Sequence, residues 1–545
     1  MPDFKELFPL NFEDNKTPSY LKSLFQCISK KAKNNPARLS NSNHLSKESL
    51  INKYSEIPHK CDDPFRVGEE IVNDFFVDLP NWRSPRLNLN IGSPVNIVAS
   101  AVYSLSLDTN ILAVNKGLAG QALIAEEIVT NILGNLIDQK NTRGLFTYGG
   151  SGTNLYGIKL GIHKAIPESN KTGITEKIKI LIAEDSHYAQ VYSADWLGVG
   201  TDNVIKISAK ENRTSSLKNA EELLRTYLDK NIKIGAILLN GGTSYRHTID
   251  EIKKFVQLRD KLVKEYNLKY SPHIHVDAVI GWMWLFFKGY DFRENPLNIK
   301  EGILKTIEHQ YNRISELKYA DSWGVDFHKG VGGCPVDSSA FIFNNAEDME
   351  FFSKEGNPAQ GLFGLHQITE RFNAKSAVNY TLENSRSAGP FLSALASIHT
   401  MGMNGFRTYL AKLVENVYYI HKLVKDKEDI EVKDPYRCGF VVMIRLYPPE
   451  LANNEVKTLE PDDKQIVRRI NEYNREFYNW DKRTRMSKNI SPEYSYSNYS
   501  YKFPCGEGMH TLKIYPVSPH VNPLHTEELI NTIVSQKKAF DKMRK

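Results

Sequence analysis

The sequence predicts an α/β protein with a largely parallel sheet, followed by a smaller α+β domain. Three observations carry this reading. Between about residues 178 and 343, continuous apolar runs of strand length alternate with amphipathic runs of helix length. From about Ala388 the alternation gives way to long helical patterns. The 545 residues are 41% hydrophobic and 25% charged, which is chain enough for a large core and two or three domains.

Charge and cysteine usage narrow the class. The formal net charge of +6, from 70 basic and 64 acidic residues, is mild and spread along the chain, with one dense cluster at Lys30, Lys31 and Lys33. Such a run reads as a solvated face and not as a nucleic-acid footprint. The five cysteines, Cys27, Cys61, Cys334, Cys438 and Cys505, are widely spaced with no C-x-x-C. This argues against a disulfide framework or a metal site and fits a reducing cytosol. The polar start Met1–Glu6 lacks the apolar core of a signal peptide, and the longest apolar run, Ala278–Phe287, is too short to span a bilayer. A soluble cytoplasmic protein without nucleic-acid or membrane partners is expected.

Residues 1–85 are polar, with helices at Tyr20–Lys33 and Pro64–Phe76, and read as a helical arm, either a simple preface or a contact for a partner subunit. A large domain follows over 86–387. Asn90–Pro94 is a turn signal before a helix over Val95–Leu105, and a second helix covers Gly120–Leu136. Leu145–Leu155 brings Gly149-Gly150-Ser151-Gly152 to the opening of a helix whose apolar face is Leu155, Ile158, Ile162 and Ala165. Small residues there leave backbone N–H groups and a hydroxyl free to meet an anion, with the helix dipole behind them; phosphate is the natural guest. Strands are expected at Ile178–Ala183, Asn203–Ile207, Ile234–Leu239, His273–Asp277, Ser322–Asp326 and Ser339–Phe343. The helices between them are Tyr188–Leu197, Leu217–Asp229 and Ile249–Tyr266. The last region, 388–545, carries helices Phe391–Met401 and Gly405–Lys425, a strand Gly439–Leu446 and a polar helix Asp463–Trp480. An exposed Tyr/Ser-rich loop at Ser491–Tyr501, a strand Thr511–Tyr515 and a helix Thr526–Lys542 complete it.

The chemistry gathers at strand ends, where open α/β sheets place their sites. The run Ala320–Asp326 leads to His328-Lys329 and then to glycines, presenting one amine with pliable backbone behind it. Lys329 reads as the lysine that carries pyridoxal phosphate as a Schiff base. That cofactor also needs a carboxylate for its pyridine nitrogen, a flat side chain against its ring and donors for its phosphate. Asp277, His187 and Gly150-Ser151-Gly152 supply these at three other loop positions. Each feature alone is ordinary: a cap carboxylate, a structural histidine, a glycine turn, a solvated lysine. Their combination selects the cofactor.

These stretches together resemble the pyridoxal-phosphate-dependent group II amino acid decarboxylases, which include the aromatic amino acid, glutamate, histidine and diaminobutyrate enzymes. Gly149-Gly150-Ser151-Gly152-Thr153-Asn154-Leu155 is similar to the family's phosphate stretch, with Ser for Thr, and Ser186-His187 to its stacking-histidine segment. Gly242-Thr243-Ser244 with Ile249-Asp250, His275-Val276-Asp277-Ala278, Asp326-Phe327-His328-Lys329 and Glu383-Asn384-Ser385-Arg386 match later motifs. The resemblance spans about 86–430. It implies a type I aminotransferase-like fold with a seven-stranded, mostly parallel sheet, and a homodimer with active sites at the interface. It also implies conversion of an L-amino acid to its amine and carbon dioxide. Thr243 and His328 are then cofactor contacts, and Arg386 is structural or near the phosphate.

Two departures qualify the chemistry. Lys329 follows Asp277 by 52 residues, and the extra length includes Trp282–Phe287 and Asn295–Leu297, read as a lid, a substrate wall or a packed insertion. The Asn90–Pro94 turn is a second candidate for the substrate wall. The stretch Asn344–Asn379 contains no tyrosine, although many family decarboxylases use one there as proton donor. His366 can serve instead, since imidazole titrates near neutrality. Phe363 points to a different outcome, an aldehyde synthase. A carbon–carbon lyase on the same fold, or a non-catalytic family member acting as a subunit partner, is also compatible with these motifs.

Overall fold

The computed structural model describes residues 7–8, 15–33, 36–39, 45–60, 62–114, 116–353, 377–433, 439–488 and 492–544. Near the start, β1 (Arg38–Leu39) and β2 (Leu79–Pro80) pair as a two-residue ribbon. The N-terminal helices Thr17–Lys31, Lys47–Tyr54 and Pro64–Phe75 surround it in sequence. A further short strand, β3 (Leu87–Asn88), pairs with a strand from the far end of the chain.

Seven strands form that sheet: β4 (Arg143–Thr147), β5 (Ile178–Ala183), β6 (Val204–Ile207), β7 (Lys233–Asn240), β8 (His273–Asp277), β9 (Ser322–Asp326) and β10 (Ser339–Phe343). Their order is β4-β10-β9-β8-β7-β5-β6, and β10 alone runs against the rest. This is the type I arrangement expected from the resemblance. The central strands read as unbroken apolar runs because both faces are covered: β8, β9 and β10 are buried at every position. Six of the seven strands were legible as such runs. The seventh, β4, is hidden in the approach to the glycine-rich turn. Because β5, β7, β8 and β9 are parallel, Ala183, Asn240, Asp277 and Asp326 end at one edge.

The second sheet has the order β11-β12-β14-β13-β3, built from β11 (Ile430–Val432), β12 (Val442–Leu446), β13 (Glu493–Ser497) and β14 (Thr511–Ile514). Here the structure corrects the expected exposed loop at 491–501. Glu493–Ser497 is a strand between β14 and β3, and Tyr494 is fully buried with its hydroxyl donating to Asp481 at 2.6 Å. The Tyr/Ser alternation puts Tyr494 and Tyr496 on one face of the strand, Tyr494 buried and Tyr496 half-buried. The long helix Gly389–Val424 is broken at Gly402 (φ 56, ψ 176), so the two expected helices are its halves.

The insertion after Asp277 is a packed one. Gly281–Phe287 winds as a 3-10 helix with all seven residues buried, and the Trp282 indole donates to the Asp326 carbonyl at 3.2 Å. The substrate-wall reading of this segment is therefore overturned: its aromatic side chains fill the core. Arg386 is structural. Its guanidinium pairs with buried Glu126 (3.1 Å from Nη1 to Oε2) and donates to the Phe146 carbonyl at 2.9 Å. Arg386→Met leaves a buried carboxylate without its cation, and a stability loss of about 3–5 kcal/mol is expected in urea unfolding.

Four histidines are folded into the core uncharged. Burial pushes His247 down to about 3, His275 and His163 to about 4, and His273 well below its ordinary value. In the unfolded chain they take up protons near pH 6.5, so below that pH unfolding binds protons that the native state refuses. Their contribution is complete above about pH 6.5 and is lost as pH falls toward 4, by at most about 1.4 kcal/mol per pH unit for each. The urea midpoint is expected to be lower at pH 5 than at pH 7, and equal midpoints would contradict this.

Candidate active site

The β9 strand delivers Asp326 to the sheet edge, and the chain turns so that Lys329 Nζ lies 2.7 Å from Asp326 Oδ2. This loop is clamped by the Asn90–Pro94 turn. Ser93 N–H donates to the His328 carbonyl (2.9 Å), Gly330 N–H to the Ile91 carbonyl (2.7 Å) and Gly333 N–H to Ser93 Oγ (2.8 Å). Asn96 caps the next helix through the Ala99 N–H and donates its own N–H to the Gly333 carbonyl at 2.9 Å. Gly330 adopts φ +54, and a Cβ there would lie 2.5 Å from Met283 Sδ, so the insertion dictates glycine directly after the lysine. Burial works against the Lys329 charge, but Asp326 outweighs it and raises the amine above its ordinary value. Asp326 is fully buried, which favours its neutral form, yet Lys329, His328 and the Ser339 hydroxyl (2.6 Å) hold it below the usual carboxylate range.

Asp277 ends the neighbouring strand. Asn154 Nδ2 donates to its Oδ2 at 2.9 Å, and Gln190 Nε2 lies 3.5 Å from the same oxygen. Its other oxygen, Oδ1, is buried and has no hydrogen-bond partner among the described residues. A buried acceptor in that state calls for a donor. Asn154 also donates to the Gly150 carbonyl at 3.0 Å, tying Asp277 to the start of helix Gly149–Ala165. A Cβ on Gly150 would stand 2.9 Å from Val279 Cγ1 and 3.1 Å from Asp326 Oδ2, so glycine lets the helix start meet the sheet edge closely. The first-turn N–H groups at Gly150 and Ser151 have no partner within the helix.

His187 lies near Asp277 and Lys329, just before helix Ala189–Trp196, its ring 4.2 Å from that of Tyr188. Its Nδ1 accepts the Ala189 N–H at 3.2 Å, which leaves the proton on Nε2. The surrounding walls and Lys329 hold it below its ordinary value against the pull of Asp277, so it is neutral at pH 7. His328 is likewise lowered by burial, with Asp326 3.7 Å away pulling upward. Thr243 is buried in the turn after β7, where its hydroxyl accepts the Thr248 N–H at 3.2 Å. His366 and Phe363 lie outside the described residues.

The fold thus brings Lys329, Asp277, His187, His328 and Gly150–Gly152 to one sheet edge. Four further residues acquire places that the motifs did not give them: Asp326 under the lysine, Asn154 and Gln190 on Asp277, and Lys513. The last sits on β14 of the second sheet, its amine 5.7 Å from the Tyr245 ring centre and 5.6 Å from that of Tyr515. The Tyr515 hydroxyl donates to the Ser244 carbonyl, which holds β14 against the Thr243 turn. Burial alone lowers the Lys513 amine, and it has no carboxylate partner among the described residues. No spacing in the sequence pointed to it, because strand and turn meet only in the fold.

The donor set fits pyridoxal phosphate. The unclaimed Asp277 Oδ1 suits a protonated ring nitrogen, Lys329 offers the amine, and the open helix start suits a phosphate.

No family model matches the chain. Curated relatives include an aspartate 1-decarboxylase of Aliivibrio fischeri, 24% identical over 310 residues, covering 54% of this chain and 49% of the relative. An L-tyrosine/L-aspartate decarboxylase of Methanocaldococcus jannaschii is 22% identical over 367 residues, 66% of this chain and 81% of that one. The chain spans about half the length of the first of these relatives. Among solved structures, Oryza sativa TDC with PLP and tryptamine superposes with a TM-score of 0.77 at 15% identity, over 98% of this chain and 99% of that one. The shared fold is that of the group II pyridoxal-phosphate decarboxylases.

Proposed function

We propose that the chain is a pyridoxal-phosphate-dependent carboxy-lyase that converts an L-amino acid to its amine and carbon dioxide. The observation that carries the proposal is the buried, unclaimed Asp277 Oδ1 on the same sheet edge as the Lys329 amine. When bound, the cofactor supplies a conjugated ring that accepts the electron pair left by the departing carboxylate. The chain's residues do the rest. Asp277 keeps a proton on the ring nitrogen, and Asn154 and Gln190 fix the carboxylate that does so. His187 covers one face. Lys329 gives the covalent hold and passes a proton between its amine and Asp326. Gly150, Ser151, Gly152 and Thr243 line the cradle, and His328 backs the lysine loop. His366 is the proposed donor of the final proton. The similarity to aspartate and tyrosine decarboxylases supports an amino acid substrate.

Lys513 offers the substrate a cation for a carboxylate. Lys513→Gln is expected to raise KM by about 10-fold or more, the worth of one charge-assisted hydrogen bond, while Lys513→Arg retains binding. Steady-state kinetics of both variants check this.

The assembly we propose is a cytoplasmic homodimer. Tyr188, beside His187, and Trp196, at the far end of the following helix, are 68% and 83% exposed, and Ile97, Leu105 and Leu107 share an exposed apolar helix. Apolar faces of this kind are covered by protein. Free Cys27, Cys334 and Cys505 agree with a reducing compartment. Among the described residues no helix is long and apolar enough to cross a membrane.

The test is a product assay. Purified protein with pyridoxal phosphate meets each common amino acid, with mass spectrometry for amine and aldehyde and a separate peroxide measurement. Amine from one substrate supports the proposal. The absence of tyrosine from Asn344–Asn379 favours one second reading, an aldehyde synthase that uses dioxygen, and aldehyde with peroxide would establish that instead. No product from any amino acid would favour a non-catalytic subunit.

A further inference from the structure

The second half of helix Gly389–Val424 forms one wall of a cavity of about 1040 Å³. The start of helix Glu301–Ile314, β11, the short helix Asn454–Leu459 and Val521–Pro523 close the other sides. None of the residues placed in the candidate active site lines it. The volume is at the upper end of small-molecule sites.

Its charge is one-sided. Six lysines line it against two glutamates. Both glutamates are already engaged: Glu415 pairs with Lys300, and Glu431 with Lys433 at 2.9 Å and the Tyr447 hydroxyl at 2.8 Å. Lys412 donates to the Pro519 carbonyl at 2.6 Å. That leaves Lys422, Lys425, Lys427 and Lys457 without a carboxylate partner among the described residues. A helix C-terminus offers only about half a negative charge, so the end of the long helix does not balance four ammonium groups. Asn416 on the same wall is 5% exposed, and its Nδ2 has no hydrogen-bond partner among the described residues. Ile303, Val424, Ile430 and Val432 supply apolar surface between these groups.

We propose that this cavity is a regulatory site for a nucleoside di- or triphosphate, with the phosphates on Lys422, Lys425, Lys427 and Lys457 and the base against the apolar wall. A multiply charged phosphate chain matches a cluster of ammonium groups without carboxylate partners, of which Lys457 also faces the Tyr447 ring at 5.2 Å, and the apolar surface with one amide donor matches a flat heterocycle. The wall helix leads from this cavity to the catalytic groups. Tyr409 donates to the Val517 carbonyl and Lys412 to that of Pro519, both at 2.6 Å, and these carbonyls follow β14, which carries Lys513. On the half of this element before the Gly402 break, Ser397 Oγ donates to the Gly332 carbonyl at 2.6 Å, within the lysine loop. Occupancy of the cavity therefore acts on Lys513 and on KM. This effect on KM rests on the proposed decarboxylation, whereas binding does not.

The test is calorimetric titration of the cofactor-loaded protein with ATP, pyrophosphate and inorganic phosphate, so that the phosphate cradle at Gly150–Gly152 is already filled. One equivalent of ATP is expected to bind, more tightly than pyrophosphate, with inorganic phosphate weakest and all three weakened by salt. The double variant Lys422→Glu/Lys425→Glu is expected to keep its melting temperature and lose at least 10-fold in ATP affinity. Equal affinity in the double variant, or no heat from ATP, would overturn the site. Pyrophosphate binding as tightly as ATP would overturn the nucleotide assignment. In kinetics on whichever amino acid is turned over, ATP is expected to shift KM in the wild type and not in the double variant; unchanged KM with measured ATP binding would overturn the regulatory role alone.

Discussion

Lys329→Ala is expected to lower kcat by roughly 10³-fold or more while leaving the protein folded. The side chain is a terminal feature of its loop and not a brace for it. The loop is held by backbone bonds from Ile91, Ser93 and Asn96, and none of these uses the lysine amine. Removing the amine does leave Asp326 buried beside His328 and Ser339, so a moderate fall in melting temperature accompanies the loss. The decisive readout is covalent. Borohydride reduction of the loaded wild type is expected to leave the cofactor's mass on the peptide that contains Lys329, and the variant to release it. Turnover at the wild-type rate in Lys329→Ala would remove this residue from the chemistry.

The raised Lys329 amine gives the same region a further consequence. Asp326 stabilises the ammonium form, which is not the nucleophile. Before cofactor attachment the proton must leave Nζ, and Asp326 Oδ2 at 2.7 Å is the nearest acceptor. The lysine and the aspartate three residues earlier thus behave as one unit, which is why an Asp-x-His-Lys spacing at a strand end carries more information than the lysine itself.

Much of this fold was legible because its signals are local and doubly constrained. Strands β7 to β10 are buried on both faces, so Lys233–Asn240 or Ser339–Phe343 allow few polar side chains and read as unbroken runs. The glycines that open helix Gly149–Ala165 have separate causes: Gly149 adopts φ +74 with open space around it, whereas Gly150 lies close to Val279 and Asp326. What was not legible depended on contacts between distant segments. β13 alternates Tyr and Ser, and only its place between β14 and β3 decides that the run is a strand with Tyr494 inward. Trp282–Phe287 is apolar enough for either a lid or a core, and its burial under the lysine loop settles which. Lys513 lies 184 residues beyond Lys329 and on the other sheet, beyond the reach of any spacing argument.

Asp277→Asn is the companion test, because it changes charge and almost nothing else. The amide keeps the shape of the carboxylate and its place on β8. The Asp277 main chain is fixed by the ladder to β7 and β9, so the strand does not depend on the side chain. A neutral amide cannot hold a proton on a pyridine nitrogen as a carboxylate does, and that charge is what lets the ring accept electrons when the carboxylate leaves. The effect belongs to the transition state, so kcat is expected to fall by about 10²–10³-fold with KM little changed. Asn154→Ala separates charge from position. It leaves Asp277 ionised but frees Oδ2 from its 2.9 Å bond and unties it from Gly150. A smaller loss of kcat is expected, together with weaker cofactor retention, because the proposed phosphate cradle and the proposed ring-nitrogen anchor are joined through that one amide. If Asp277→Asn instead keeps the wild-type kcat, the unclaimed Oδ1 has another partner and the orientation assigned to the cofactor is wrong.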